Sequence, residues 1–323
     1  MILMESNQPS ALLFPGQGSQ FVGMGNSLAE SEPIARKTFQ EADQLLGYDL
    51  SSLCWEGPSE ELNDTLNTQP AILTHSIAVF RTLKEKFPSY SPTYTAGHSV
   101  GEFCALVASG ALNFRDGLLL VRERGRLMRE AGINNPGGMS AILGLDIESV
   151  AEILHQSSAE TGNSVWVAND NCPGQVVISG EEVGLNEVEE KLSSAGAKKV
   201  VRLAVSIPAH TPFMAQVQDE FREILAETSI RSPKIPIIGN VHATPLISAE
   251  EIRADLGDQL TSRVRWTESI IAMTSMGVKV YYELGPGKVL TSLMRRIDRS
   301  NSTFPIDTPD SLSSILEQLL SNP

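Results

Sequence analysis

With 323 residues, 41% of them hydrophobic, the chain can bury a full core and suits one large domain or two moderate ones. Its formal net charge of −14 argues against nucleic acid as the main partner, since phosphate binding needs clustered cations, and only Lys198, Lys199, Arg202 and Arg295, Arg296, Arg299 form local basic groups. Three cysteines without CxxC or metal-ligand spacing, no apolar run of roughly 18 residues, and an N-terminus that turns acidic early lead us to expect a cytoplasmic protein with reduced thiols, no bound metal, no membrane span and no signal peptide.

In chain order, Ala11–Phe14 reads as a short buried strand running into the glycine-rich loop PGQGSQ. Helical patterns follow, notably Gln69–Phe87, with Pro88 as the stop. The stretch TYTAG, ending at Gly97, is a second strand, and Phe103–Ser109 and Phe114–Ala131 are helices. A turn-rich linker, GINNPGG, then opens a segment with its own rhythm. It reads as strand GMSAILG, helix Ile147–Ser157, strands VWVAN and QVVISG around the turn DNCPG, helix Glu181–Ala195 and strand KKVVRLAV. That order is the β-α-β-β-α-β of a ferredoxin-like module. Beyond the linker SIPAHTP come helix Pro212–Ala226, the apolar strand IPIIGN, helices Ala249–Leu260 and Thr267–Met276, the strand of VKVYYELGPG, helix Val289–Asp298 and a capped amphipathic tail, DTPDSLSSILEQLL. The expectation is an α/β domain, residues 1–134 and 206–323, with a smaller α+β module, residues 135–205, inserted into it.

Between the second strand and a small-residue helix sits Gly97-His98-Ser99-Val100-Gly101, a G-x-S-x-G nucleophile-elbow pattern. Its glycines allow a sharp turn, Ser99 Oγ stands at the carboxyl end of the sheet, and the Val100 amide points into the same space as an oxyanion donor. A serine needs a base. Of the five histidines, His210, in a loop bracketed by Pro208 and Pro212, is favoured, with His242 as its rival. His75 and His155 read as a locally satisfied helix residue and a surface residue, and His98 faces away from the elbow. PGQGSQ lacks the third glycine of a dinucleotide loop, since position 21 is Phe21.

FPGQGSQFVGMG, GHSVGEFCAL, RERGRLMREA, ANDNCPGQVVISG, SIPAHTPFM, VRWTESI and YYELGPGKVL occur in that order across nearly the whole chain. Together they resemble the malonyl-CoA:acyl carrier protein transacylases and the related acyltransferases of polyketide synthases. The resemblance implies an α/β-hydrolase-like large subdomain with a ferredoxin-like insertion. It implies two-step transfer of malonyl from CoA to the phosphopantetheine thiol of an acyl carrier protein, through a Ser99 ester and with no cofactor. His210 would be the base, Gln17 would join Val100 in the oxyanion hole, and Arg124 would pair with the malonyl carboxylate. Asn169 and Asn171 would face the cleft from a turn. The backbone carbonyl of Arg265, where many relatives carry Gln, would orient His210. Ala209 departs from the serine often found before the histidine. A monomer is expected, and the partners are malonyl-CoA and a carrier protein. An acyl hydrolase on the same residues, or transfer of another extender unit, is the alternative reading; a pseudo-enzyme acting as a docking module is the third.

Overall fold

The computed structural model describes residues 9–321. Its strands are β1 (Ser10–Phe14), β2 (Tyr94–Gly97), β3 (Gly137–Leu143), β4 (Val165–Cys172), β5 (Gln175–Glu181), β6 (Lys199–Arg202), β7 (Ile237–Ile238), β8 (Pro245–Leu246), β9 (Val280–Leu284) and β10 (Ser302–Ile306). They form two sheets, one six-stranded in the order β10-β9-β1-β2-β7-β8 and one four-stranded in the order β4-β5-β3-β6. All pairings in the larger sheet are parallel except β7 with β8. Strand β1 is buried along its whole length, which is why it reads as an uninterrupted apolar run rather than an alternation.

Leu13 pairs with Ala96 and Phe14 with Gly97, so the loops leaving β1 and β2 emerge side by side. The chain order turns back at β1, whose neighbours are β2 and β9, and ligands of open α/β sheets gather at the carboxyl ends beside such a switch.

The smaller sheet is antiparallel throughout. Its two helices, Ile147–Thr161 and Glu182–Ser194, pack over it on a separate core of Ile142, Val150, Ile178, Leu185, Val188 and Leu192. Along β4 the module is stitched to the segment around Val264 and to the helix Trp266–Ser275. Asp170 donates its amide to the Val264 carbonyl at 2.9 Å, Val264 donates to Ala168 at 2.8 Å, and Thr267 Oγ1 donates to Asp170 Oδ1 at 2.8 Å. Arg296 closes the seam by donating to the carbonyls of Pro173 and Gly174.

Several expectations move. Strand β4 runs on to Cys172 through two register shifts, so Asn169 and Asn171 lie on a bulged strand and the turn shrinks to Pro173–Gly174. β6 stops at Arg202, shorter than the apolar run it came from. Four helices, Asn26–Ser31, Pro33–Leu46, Leu50–Glu56 and Ser59–Leu62, fill the stretch after the first loop. β10 has no counterpart among the sequence-based expectations; it contains Pro305 and lies at the sheet edge, where a proline is tolerated.

The helix read as starting at Gln69 begins at Thr65, capped by Asp64, whose side chain accepts from the Leu66 amide. Pro70 lies inside it and can give no hydrogen bond to the Leu66 carbonyl one turn back. Arg122 supplies that bond instead, its Nη1 donating to Leu66 O at 2.8 Å. One bond near the start of this helix is therefore supplied by a neighbouring helix rather than by its own ladder.

Gly101 has the least room of the elbow residues toward β1: an added Cβ would meet the Phe14 carbonyl oxygen at 2.1 Å. Gly101→Ala is expected to cost about 3 kcal/mol, the upper range for overpacking, because the obstacle is backbone. A urea midpoint unchanged from wild type would refute the constraint.

Candidate active site

Ser99 has φ 52°, in the left-handed region, although it is not a glycine. Such a residue costs of order 1–3 kcal/mol and persists only when its surroundings over-determine it. Here they do. A Cβ on Gly97 would come within 1.9 Å of the Gly101 backbone, so the chain folds back on itself as only two glycines allow. Asn240 then clamps the turn: Ser99 N donates to Asn240 Oδ1, and Asn240 Nδ2 donates to Gly97 O, both at 2.7 Å. IPIIGN, which reads from sequence as a strand and forms β7 at Ile237–Ile238, thus carries a buried amide that no local pattern ties to the elbow.

His210, also at positive φ, brings its Nε2 to 2.9 Å from Ser99 Oγ. Its Nδ1 faces two carbonyls, Gln259 O at 3.0 Å and Ser262 O at 3.1 Å. Carbonyls only accept, so the ring proton sits on Nδ1 and the Nε2 lone pair is turned toward the serine. Arg265 is not the orienting residue. Its carbonyl accepts from the amide and the hydroxyl of Ser269, each at 2.9 Å, inside the helix Trp266–Ser275. Position 265 lies at the start of that helix and turns its carbonyl into the helical ladder, while Gln259 ends the preceding helix and leaves its carbonyl free to turn toward the histidine. Burial and then the Arg124 charge lower the His210 pKa to about 3. His242 is exposed and takes no part.

The arginines of the helix Phe114–Asn134 sort by face. Arg126 pairs with Glu123, Glu130 and Glu220, and Arg129 with Asp64. Arg122 covers Tyr48 and the Leu66 carbonyl. Arg124 alone turns inward, with 1% of its surface exposed. It donates from Nη1 to Gln69 Oε1 at 2.8 Å, and from Nη2 to Gln259 Oε1 at 2.9 Å and to Ser99 Oγ at 3.1 Å. Its Nε has no partner among the described residues. Its three hydrogen-bond acceptors are all neutral, and burial, partly offset by the charge of Glu102, lowers its pKa to about 10. A buried cation held only by neutral acceptors is expensive, and the arrangement is complete once an anion arrives.

Gln17 lies on the loop after β1, its side chain accepting from Thr65 Oγ1 at 2.9 Å; Thr65 Oγ1 in turn accepts from Gln69 Nε2 at 2.9 Å. A hydrogen-bonded chain thus runs from Arg124 through Gln69 and Thr65 to this loop. The backbone amides of Gln17 and Val100 meet no protein acceptor among the described residues, and Val100 caps the helix Gly101–Ala108. Such a helix start favours negative charge.

Gln17, Thr65, Ser99, Arg124 and His210 line one cleft of about 450 Å³ between the two sheets. Its apolar wall comes from Met128 on the large side and from Met139, Val177, Leu203 and Val205 of the module and the segment after it. Asn169 and Asn171 both border it. His98 does too, contrary to the reading that it faces away, and it is hydrogen-bonded to Asn171 Oδ1 at 2.8 Å. Gln259 and Asn240 are the functional positions that sequence reasoning missed. The only signal for Gln259 was its place at the end of a helix near the VRW motif. Of the basic groups, Arg202 is taken up by Glu182, Glu189 and Asn186, and Arg296 by the seam, while Lys198, Lys199, Arg295 and Arg299 are exposed. No helix among the described residues is long and apolar enough to cross a membrane.

The chain is similar over nearly its full length to proteins of known activity. The malonyl CoA-acyl carrier protein transacylase of Bacillus subtilis is 43% identical, covering 96% of each chain. A solved malonyl-transacylase in complex with its type II polyketide synthase acyl-carrier protein superposes with a TM-score of 0.93 at 41% identity, covering 96% of this chain and 100% of that one. The malonyl CoA-acyl carrier protein transacylase of Coxiella burnetii also superposes with a TM-score of 0.93, at 39% identity, covering 97% and 98%. The family model described as "acyl transferase domain" matches residues 11–307, and with the elbow and cleft formed as above, this chain belongs to the acyl transferase family.

Proposed function

We propose that the protein transfers malonyl from CoA to the phosphopantetheine thiol of an acyl carrier protein, in fatty acid or polyketide synthesis, through an ester on Ser99. The observation that carries this reading is the buried, unneutralised Arg124 within 3.1 Å of the serine oxygen. A planar guanidinium receives a carboxylate in two parallel hydrogen bonds, so the site selects acyl groups that end in one.

The cleft lies between a large subdomain, residues 1–134 and 206–323, and the inserted module, residues 135–205. His210 Nε2 takes the Ser99 proton as Oγ attacks the thioester carbon. The resulting oxyanion is received by the amides of Gln17 and Val100. The tetrahedral species collapses, the C–S bond breaks, and His210 returns its proton to the leaving CoA thiolate. The carrier thiol then gives its proton to His210, attacks the ester, and restores Ser99 Oγ–H as the new thioester departs. Exchange between two thiols is redox-neutral, and these steps call on no cofactor. Asn169 and Asn171 border the path of the acyl chain, and the reading places the enzyme in the cytoplasm.

Ser99→Ala removes the atom that forms the ester. Intact mass spectrometry after mixing with malonyl-CoA is expected to show the adduct on wild type and none on the variant; an adduct that persists would refute the assignment. Arg124→Ala should lower kcat/KM for malonyl-CoA on the order of a hundredfold, the scale of a broken buried charge pair, while acetyl-CoA loading is not reduced. Equal losses on both substrates would show that Arg124 only supports the fold. For pH, a lowered His210 pKa keeps the base unprotonated in mild acid. The acid limb of kcat/KM for acylation, which reports the free enzyme, should therefore lie well below the ordinary imidazole value of about 6.5. A limb at that ordinary value would show His210 to be no more buried from charge than a surface histidine.

A further inference from the structure

One pair of buried carboxyls stands directly behind the site and is not used in the steps above. Glu102 is fully buried and Asp255 is 4% exposed. Glu102 Oε1 and Asp255 Oδ2 are both buried and meet no hydrogen-bond partner among the described residues. Glu102 touches Gln259, whose Nε2 donates to Glu102 Oε2 at 2.6 Å and to the Ser99 carbonyl at 3.2 Å. We propose that Glu102 is a positioning residue that fixes the Gln259 side chain and through it the guanidinium of Arg124. The inference rests on the reading of Arg124 as the carboxylate site.

The orientation of the amide follows from donors and acceptors alone. Arg124 has only N–H groups, so Gln259 must turn its oxygen to Nη2 and its nitrogen away. That nitrogen needs acceptors, and Glu102 Oε2 is the nearer of the two it has. Asp255 Oδ1 accepts from the Val241 amide at 3.3 Å. Two ionised carboxyls near each other in a dry site repel, which favours keeping a proton on one of them. Burial, reinforced by the Asp255 charge, raises the Glu102 carboxyl well above the ordinary range. Glu102 Oε2 accepts from Gln259 whether or not the acid keeps its proton. Gln259 is thereby held at both ends of its amide, with its backbone carbonyl on His210.

The acceptor role has an isostere. In Glu102→Gln the amide oxygen can still accept from Gln259, whereas Glu102→Met keeps the length and removes that bond. The readout is the ratio of kcat/KM for malonyl-CoA to that for acetyl-CoA in acyl-enzyme formation, which a general loss of folded protein leaves unmoved. E102Q is expected to keep the ratio within about threefold, and E102M to lower it about tenfold, the scale of one unmade buried hydrogen bond. An unchanged ratio in E102M, or a tenfold loss in E102Q, overturns the proposal; if E102M yields no folded protein, E102Q alone decides. Arg124→Ala run in parallel separates the two claims. If it leaves the ratio intact, the reading of Arg124 fails; if it lowers the ratio and E102M does not, only the role of Glu102 fails.

Discussion

The site is built on a backbone turn that L-residues avoid. Ser99 adopts a left-handed φ because Gly97 and Gly101 let the strand end, the turn and the helix start come closer than any side chain would permit. Everything that makes the serine useful is a consequence. The turn lifts Oγ out of the sheet, presents the Val100 amide beside it, and directs the start of the helix Gly101–Ala108 at the same point. The strain is held by groups distant in sequence, above all the Asn240 side chain, which satisfies the Ser99 amide and the Gly97 carbonyl together. Removing that amide would leave two buried backbone groups unpaired at about 1–3 kcal/mol each.

Recognition and chemistry share one charge. Arg124 is the second-largest cause, after burial, of the lowered pKa of His210. In the free enzyme the imidazole is consequently a weak base held beside an unneutralised cation. A carboxylate bound to Arg124 would cancel that cation and strengthen the base at the moment the correct acyl group is in place. Acyl groups without the carboxylate would leave the base weak. Selectivity in this arrangement is therefore exerted on the chemical step as well as on binding, which is where differential stabilisation raises rate.

The fold class and the inserted module were legible because the periodicity of this chain is clean: β1 is a buried apolar run, and the module alternates strand and helix with turn-rich linkers at both ends. Ser99 was legible because G-x-S-x-G is a local pattern with a local mechanical cause. Gln259 was not, because a backbone carbonyl leaves no mark on residue identity; any residue at that helix end could present one, and Arg265 beside a recognisable motif drew the assignment instead. Asn240 and Glu102 escaped for a different reason. Their significance lies in partners 141 and 157 positions away, Ser99 and Gln259 respectively, and no spacing rule spans such gaps. The early boundary of the helix Thr65–Lys86 escaped because Pro70 reads as a helix start, whereas here Arg122 repairs the bond it breaks.

The use of carbonyls, where a serine hydrolase places a carboxylate, follows from the charge of the cargo. A carboxylate behind His210 would steady the imidazolium, but it would also sit in the same dry cleft as the incoming acyl carboxylate. At ~8 Å and an effective dielectric near 20, that repulsion is about 2 kcal/mol, and Arg124 would have two anions competing for it. Two carbonyls on Nδ1 fix the tautomer and the ring plane without adding charge. The same reasoning applies to Glu102. An ionised carboxylate there would face Arg124 across one amide and partly satisfy it, dulling its pull on substrate. Burial raises the Glu102 carboxyl well above the ordinary range, which disfavours that charge. The groups that accept directly from Arg124 are all neutral, so the first anion to contact its guanidinium is the one the substrate brings.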